Sequence, residues 1–239
     1  MELSKRLKAV ADMVGTGSVL ADIGTDHAYI PIWLVSRGSV PRAVAMDVNE
    51  GPLKRAQENI LQNGLEEKIE TRLSDGFKAL APGEADTAVI AGMGGGLTVR
   101  ILKNGMEVVR SLKECILQPQ SEIDKVRTFL LEEGFSFIRE DMVEEDGKYY
   151  PMMCVRPPES PECAAESEKW SETELLYGRL LLKERHPVLR DYLEREIRIK
   201  SGIIRSLEEN GSGRAVRRIS ELKKEVEQAE KGLGYYALQ

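Results

Sequence analysis

Residues 21–31 read Ala21-Asp22-Ile23-Gly24-Thr25-Asp26-His27-Ala28-Tyr29-Ile30-Pro31, at the end of an apolar run that begins near Ser18. Such a run stopping at a glycine predicts a buried strand over 18–23. It ends in a turn where the missing side chain lets backbone approach a ligand at the sheet's carboxyl edge. A dinucleotide-binding turn would place two further glycines where this chain has Asp26 and Ala28. The stretch thus keeps a strand-turn-helix frame but puts a carboxylate where phosphates normally require clear space. One of the chain's two histidines, His27, lies between the two substituted positions.

Working outward, strand-like runs at 43–48, 69–73, 87–91 and 115–118 alternate with amphipathic stretches at 30–36, 51–63, 95–112 and 121–133. That alternation predicts an α/β fold with a parallel sheet covered by helices on both faces. After Gly134 the pattern changes to two runs, 135–143 and 148–155, joined across Asp146-Gly147, a hairpin turn signal. A parallel sheet finishing in an antiparallel hairpin is the Rossmann-like seven-stranded arrangement of methyltransferases; a dinucleotide dehydrogenase more often continues with βαβ units. Residues 156–168, rich in Pro, Ser and Glu, read as a linker, so the expected domains are 1–158 and 159–239. The second contains helical stretches at 173–183, 188–207 and 215–231. The last two, separated by a Gly-rich break, predict an antiparallel helical hairpin or coiled coil.

The chain has 239 residues, 41% of them apolar and 31% charged, which suits a folded soluble protein and argues against disorder. No stretch has the length and apolarity of a membrane span and the first ten residues carry no signal-peptide core, so the cytoplasm is the expected location and no membrane partner is expected. Cys115, Cys154 and Cys163 form no C-x-x-C pair, and with two distant histidines no metal site is expected. No obligate protein partner is evident. The net charge of -6 is unevenly spread: residues 1–158 hold 19 Lys+Arg against 24 Asp+Glu, while 178–218 hold 11 against 6. An acidic front and a basic stretch behind it suit a protein that meets a polyanion with part of its surface.

The strand ends carry the chemistry. Asp22 and Gly24 close the first strand, Asp47 and Val48 the second, Asp75 and Gly76 follow the third, and Gly92 and Met93 follow the fourth. An acid at the second strand end can hold both hydroxyls of a ribose, and one after the third can accept from an adenine amino group. An Asp at a strand end also serves as a helix cap or turn former, so each acid alone has a purely structural reading. Together they favour a ligand with ribose hydroxyls and a cationic centre but no phosphate, and S-adenosyl-L-methionine fits that description better than NAD.

Four motifs in order, Ser4-Lys5-Arg6-Leu7, residues 21–31, Ile90-Ala91-Gly92-Met93-Gly94-Gly95 and Leu117-Gln118-Pro119-Gln120, together resemble the bacterial tRNA (adenine-22-N1)-methyltransferase family. The resemblance covers nearly the whole front domain and continues through Glu144 to Tyr150 into the helical tail. It implies an S-adenosyl-L-methionine-dependent enzyme that methylates N1 of an adenine in tRNA, with Asp26 as the catalytic residue and His27 beside the cofactor. Tyr29 is the expected stacking partner of the base. Lys5, Arg6, Arg179, Arg205 and Arg217 are the expected RNA-facing cations, Lys5 and Arg6 alternatively bracing the cofactor pocket. The competing readings are an NAD-dependent oxidoreductase, a methyltransferase acting on another RNA nucleotide, and an inactive tRNA-binding protein. The missing glycines at 26 and 28 count against the first and the intact set of acids against the last.

Overall fold

The structure is a computed structural model that describes residues 2–158, 169–209 and 215–237. The chain divides into two compact units, Met1–Glu168 and Lys169–Gln239.

The first unit is built on seven strands: β1 (Leu20–Ile23), β2 (Ala43–Asp47), β3 (Ile69–Leu73), β4 (Thr87–Met93), β5 (Glu114–Pro119), β6 (Ser136–Glu145) and β7 (Lys148–Arg156). They form one sheet in the order β3-β2-β1-β4-β5-β7-β6. The first five run parallel and the hairpin closes the sheet antiparallel, β7 pairing with both β5 and β6. The hairpin turn is the one the Asp-Gly pair predicts: Asp146 has φ 52° and Gly147 φ 72°, the two left-handed positions of a type I′ turn. β1 is buried along its whole length because both faces of a parallel sheet are covered. One face packs on a cluster that includes Ile23, Met46, Ile90, Leu102 and Leu130, the other on a cluster that includes Leu20, Ile32, Ala45, Ile60 and Val89.

The helices of this unit are α1 (Lys5–Asp12), α2 (Tyr29–Ser36), α3 (Glu50–Gln62), α4 (Gly95–Asn104), α5 (Met106–Val109) and α6 (Ile123–Glu132). The single helix expected over 95–112 is two, broken at Gly105, where a Cβ would run into the Phe77 ring. α1 went unread in the sequence. Ser4 caps it, its hydroxyl accepting from the Leu7 amide at 3.3 Å, and it buries Val10 and Ala11. A buried ion pair, Arg127 Nη2 to Glu140 Oε1 at 2.8 Å, ties α6 to the edge strand β6.

The second unit holds α7 (Glu172–Tyr177), α8 (Arg179–Lys183), α9 (Pro187–Glu209) and α10 (Ala215–Ala237). The stretch expected as one helix over 173–183 breaks at Gly178, whose φ of 93° no helix interior accepts. α9 and α10 run antiparallel: Lys223 meets Glu208, Lys200 meets Glu225, and the Tyr236 hydroxyl donates to the His186 carbonyl, each at 2.8 Å. Leu189, Leu193, Leu222 and Ala229 are buried in this unit. Of the expected linker over 156–168, Arg156 ends β7 and residues 159–168, Cys163 among them, lie outside the described residues; of the expected break over 208–213, Glu208 and Glu209 belong to α9 and the rest also lies outside them.

Candidate active site

β1 delivers the site. Beyond Ile23 the amides of Gly24 and Thr25 both donate to the Met46 carbonyl, at 2.7 and 2.8 Å, which stitches the turn to the end of β2. Gly24 has φ 76°, and a Cβ there would overlap the end of the Met93 side chain, so the turns after β1 and β4 touch. His27 and Ala28 follow with φ 63° and 54°, left-handed conformations that non-glycine residues seldom adopt. They are held in place from α3, where Asn59 Nδ2 donates to the His27 carbonyl at 3.0 Å. His27 stacks on Tyr29 with ring centroids 5.0 Å apart and planes 4° apart. This double reversal leaves the Asp26 side chain 60% exposed.

The three further acids occupy different environments. Asp22 is buried, and burial pushes its carboxyl up to about 6; the Thr25 hydroxyl offsets part of that rise and the Asp47 carboxylate adds to it. Asp47 Oδ1 accepts from the Asn49 amide at 2.7 Å. Asp75 is exposed and meets Lys78 Nζ at 2.7 Å; this hydrogen bond, with the charges of Lys78 and Arg100, holds it below the usual carboxylate range. Val48 and Leu73, beside Asp47 and Asp75, are apolar yet exposed. An adenosine fits this donor set: acids for the hydroxyls and amino group, apolar side chains for the faces of the base. A ligand cation beside Asp22 favours its carboxylate, so cofactor affinity is expected to rise about tenfold as pH goes from 5 to 7. Calorimetry across that window checks this, and Asp22→Asn should flatten the profile.

Next to the acids is a small recess lined by Arg6, Leu7, Asp22, Gly24, Thr25, Asp26, Tyr29, Ile30 and Ala91. Arg6 forms its wall from α1. Its Nη1 donates to Gln118 Oε1 at 2.8 Å and its guanidinium lies 5.5 Å from the centre of the Tyr150 ring. Gly92 lies against it, with φ 79°, a left-handed backbone conformation that favours glycine. The Lys5 and Arg6 amides both donate to Glu145 of the hairpin. At the mouth, Asp26 Oδ1 accepts from Arg55 Nη2 at 2.8 Å and Nε at 3.2 Å, and His27 Nε2 is 3.6 Å from the same oxygen.

The recess thus brings together the expected Arg6, Asp22, Gly24, Asp26 and Tyr29. Arg55, Gln118, Tyr150 and Glu145, none of them an expected site residue, join them at its wall and mouth. The pairing of Arg55 with Asp26 depends on the rotational setting of α3, which no local pattern reveals. Gln118 could have been found, since a polar residue closing an apolar strand has to find a partner.

In the second unit Arg217 is 93% exposed and pairs with Glu221, whereas Arg205 is exposed and has no ion pair among the described residues. Arg179, expected to face RNA, is only 19% exposed; it meets Glu174 Oε1 at 3.0 Å and lies over the Trp170 ring. Among the described residues no group of His, Cys, Asp or Glu could hold a metal ion, and no helix is long and apolar enough to cross a membrane.

Residues 3–153 match the family model of a methyltransferase domain. A tRNA (adenine(22)-N(1))-methyltransferase of Bacillus subtilis is 36% identical over 188 residues, 79% of this chain and 78% of that protein. Among solved structures, Streptococcus pneumoniae Sp1610 in complex with S-adenosyl-L-methionine superposes with a TM-score of 0.84 at 33% identity, covering 97% of this chain and 100% of that one. TrmK of M. capricolum in complex with S-adenosyl-homocysteine gives 0.81 at 26% identity, covering 98% and 99%.

Proposed function

Because this chain belongs to the tRNA (adenine(22)-N(1))-methyltransferase family, we propose that it transfers the methyl group of S-adenosyl-L-methionine to N1 of adenine 22 in tRNA. The observation that carries the reading is the position of Asp26, its carboxylate presented at the mouth of a recess whose inner wall holds the buried Asp22 and the turn glycine Gly24. When bound, the cofactor supplies an electrophilic methyl group on a sulfonium. Asp47 holds the ribose hydroxyls, Asp75 the adenine amino group, with Val48 and Leu73 against the base. Asp22 faces the cationic end.

N1 of adenine already has a lone pair, so its attack needs orientation more than a strong base. N1 lies on the Watson-Crick edge, and the base has to be unpaired or flipped to reach the recess. Asp26 Oδ2, which has no hydrogen bond among the described residues, accepts from the exocyclic amino group, while Arg55 steadies Oδ1. Methylation leaves the adenine cationic, and the carboxylate stabilises that charge as it develops and can take the amino proton afterwards. Tyr29 stacks on the base. The division of labour is methyl transfer by residues 1–158 and tRNA binding by 159–239, with cytoplasmic tRNA as substrate.

The test is incubation with unmodified tRNA and isotopically labelled cofactor, followed by mass-spectrometric mapping of the product. N1-methyladenosine at position 22 is the expected outcome; a methyl group on another nucleotide, or none, overturns the reading.

A further inference from the structure

Tyr29 forms part of the recess, and it is also the first residue of α2. That helix buries Ile30, Pro31, Ile32, Leu34 and Val35, so its only stripe open to solvent is Tyr29, Trp33 and Ser36, continued by Arg37 at its C-terminal cap. The first, second and last of these follow one another at four-residue steps, one helical turn apart along one side of α2 and leading away from Asp26.

The middle of this stripe is unusual in its company. Arg37 lies 4.4 Å from the centre of the Trp33 ring and Lys8, reaching over from α1, lies 5.8 Å from it. Lys8 is shared with Asp12, while exposed Arg37 has no acid within ion-pair distance among the described residues. Two cations beside one largely buried indole repel each other, and an anion between them relieves that repulsion. A partly exposed aromatic ring with cations against it suits single-stranded nucleic acid: bases stack on the ring and its planar guanidinium, and phosphates meet the charges.

We infer that Tyr29, Trp33 and Arg37, with Lys8 beside them, form a docking track for the RNA strand next to the target adenine. The track rests on the tRNA reading above and goes beyond it by giving the methyltransferase unit an RNA surface of its own, continuous with the recess. A base adjoining the target stacks against the exposed part of the Trp33 and Arg37 pair, and its phosphates lie against Arg37 and Lys8.

The chain has two tryptophans, Trp33 and Trp170, so in a full-length Trp170→Phe background fluorescence reports on Trp33 alone. Unmodified tRNA is expected to quench that emission, saturating at the concentration where labelled tRNA is half bound. Trp33→Leu, which keeps the apolar packing but removes the ring, should raise the Kd for tRNA about tenfold, with Trp33→Phe recovering most of the loss. Arg37→Ala should lower the slope of log affinity against log salt by about 0.7 to 0.9, one phosphate contact. Cofactor affinity, read by calorimetry, should not move in any of them. If the wild type methylates tRNA while Trp33 emission ignores it and Trp33→Leu binds as tightly as the wild type, the track is wrong. A wild type that neither binds nor methylates tRNA overturns the tRNA reading and the track together.

Discussion

Asp26→Ala is expected to lower turnover on unmodified tRNA by about 10²-fold or more and to leave the affinity for S-adenosyl-L-methionine within a few-fold. A factor of 10² is about 2.7 kcal/mol of transition-state stabilisation, within the reach of one carboxylate facing a developing cation in a recess. The fold should tolerate the change, because Asp26 is exposed and its pair with Arg55 is a surface one, worth little to stability. Asp26→Asn separates the two roles assigned to the side chain. It keeps an acceptor for the adenine amino group but loses the charge, so it should fall between wild type and alanine. Single-turnover kinetics with saturating cofactor checks both variants. Near-normal turnover of Asp26→Ala would remove the residue from the mechanism.

Truncation after Pro158 should abolish tight tRNA binding, leaving only the weak contact of the track formed by Tyr29, Trp33 and Arg37, while sparing cofactor binding. Every residue placed around the cofactor lies before that point, in a unit with its own sheet and clusters of buried side chains. The removed part contains the basic stretch over 178–218. Many of its cations are already engaged: Arg190 with Glu194, Lys200 with Glu196 and Glu225, Arg217 with Glu221. The exposed pairs among them, Arg190 with Glu194 and Arg217 with Glu221, are worth about 0 to 1 kcal/mol each, so phosphates can compete for those two cations. Filter binding over a salt series is the measurement, with the full chain losing affinity steeply as salt rises. A truncated protein that holds tRNA as tightly as the full chain would assign binding to the first unit alone.

Much of this was legible in the sequence because the informative features are local. The strand ending at Ile23, the acid at 47 and the Asp146-Gly147 turn each state their geometry within a few residues, and the sheet order follows once the hairpin is recognised. Helix interiors were less readable. Gly105 and Gly178 split stretches whose apolar spacing runs on without a break, since periodicity records which side is buried and not whether the backbone continues. α1 is two turns long and owes its stability to packing, so its signal is no more than a serine cap and four apolar residues. Contacts that define the site from afar, Arg55 on Asp26 and Arg6 between Gln118 and Tyr150, join residues 29 or more positions apart, and only the folded chain reveals them.

The order of the sheet has a consequence for crowded solutions. Its two outer strands are β3 and β6, each with a row of backbone groups that a second chain could extend. β3 carries Glu70 and Arg72 along that margin. β6 shifts register between Phe137 and Arg139 and ends in Glu144 and Glu145. A strand from another copy would have to follow a bulge and meet like charges to pair with β6, so that margin resists fibril-like growth even at high protein concentration.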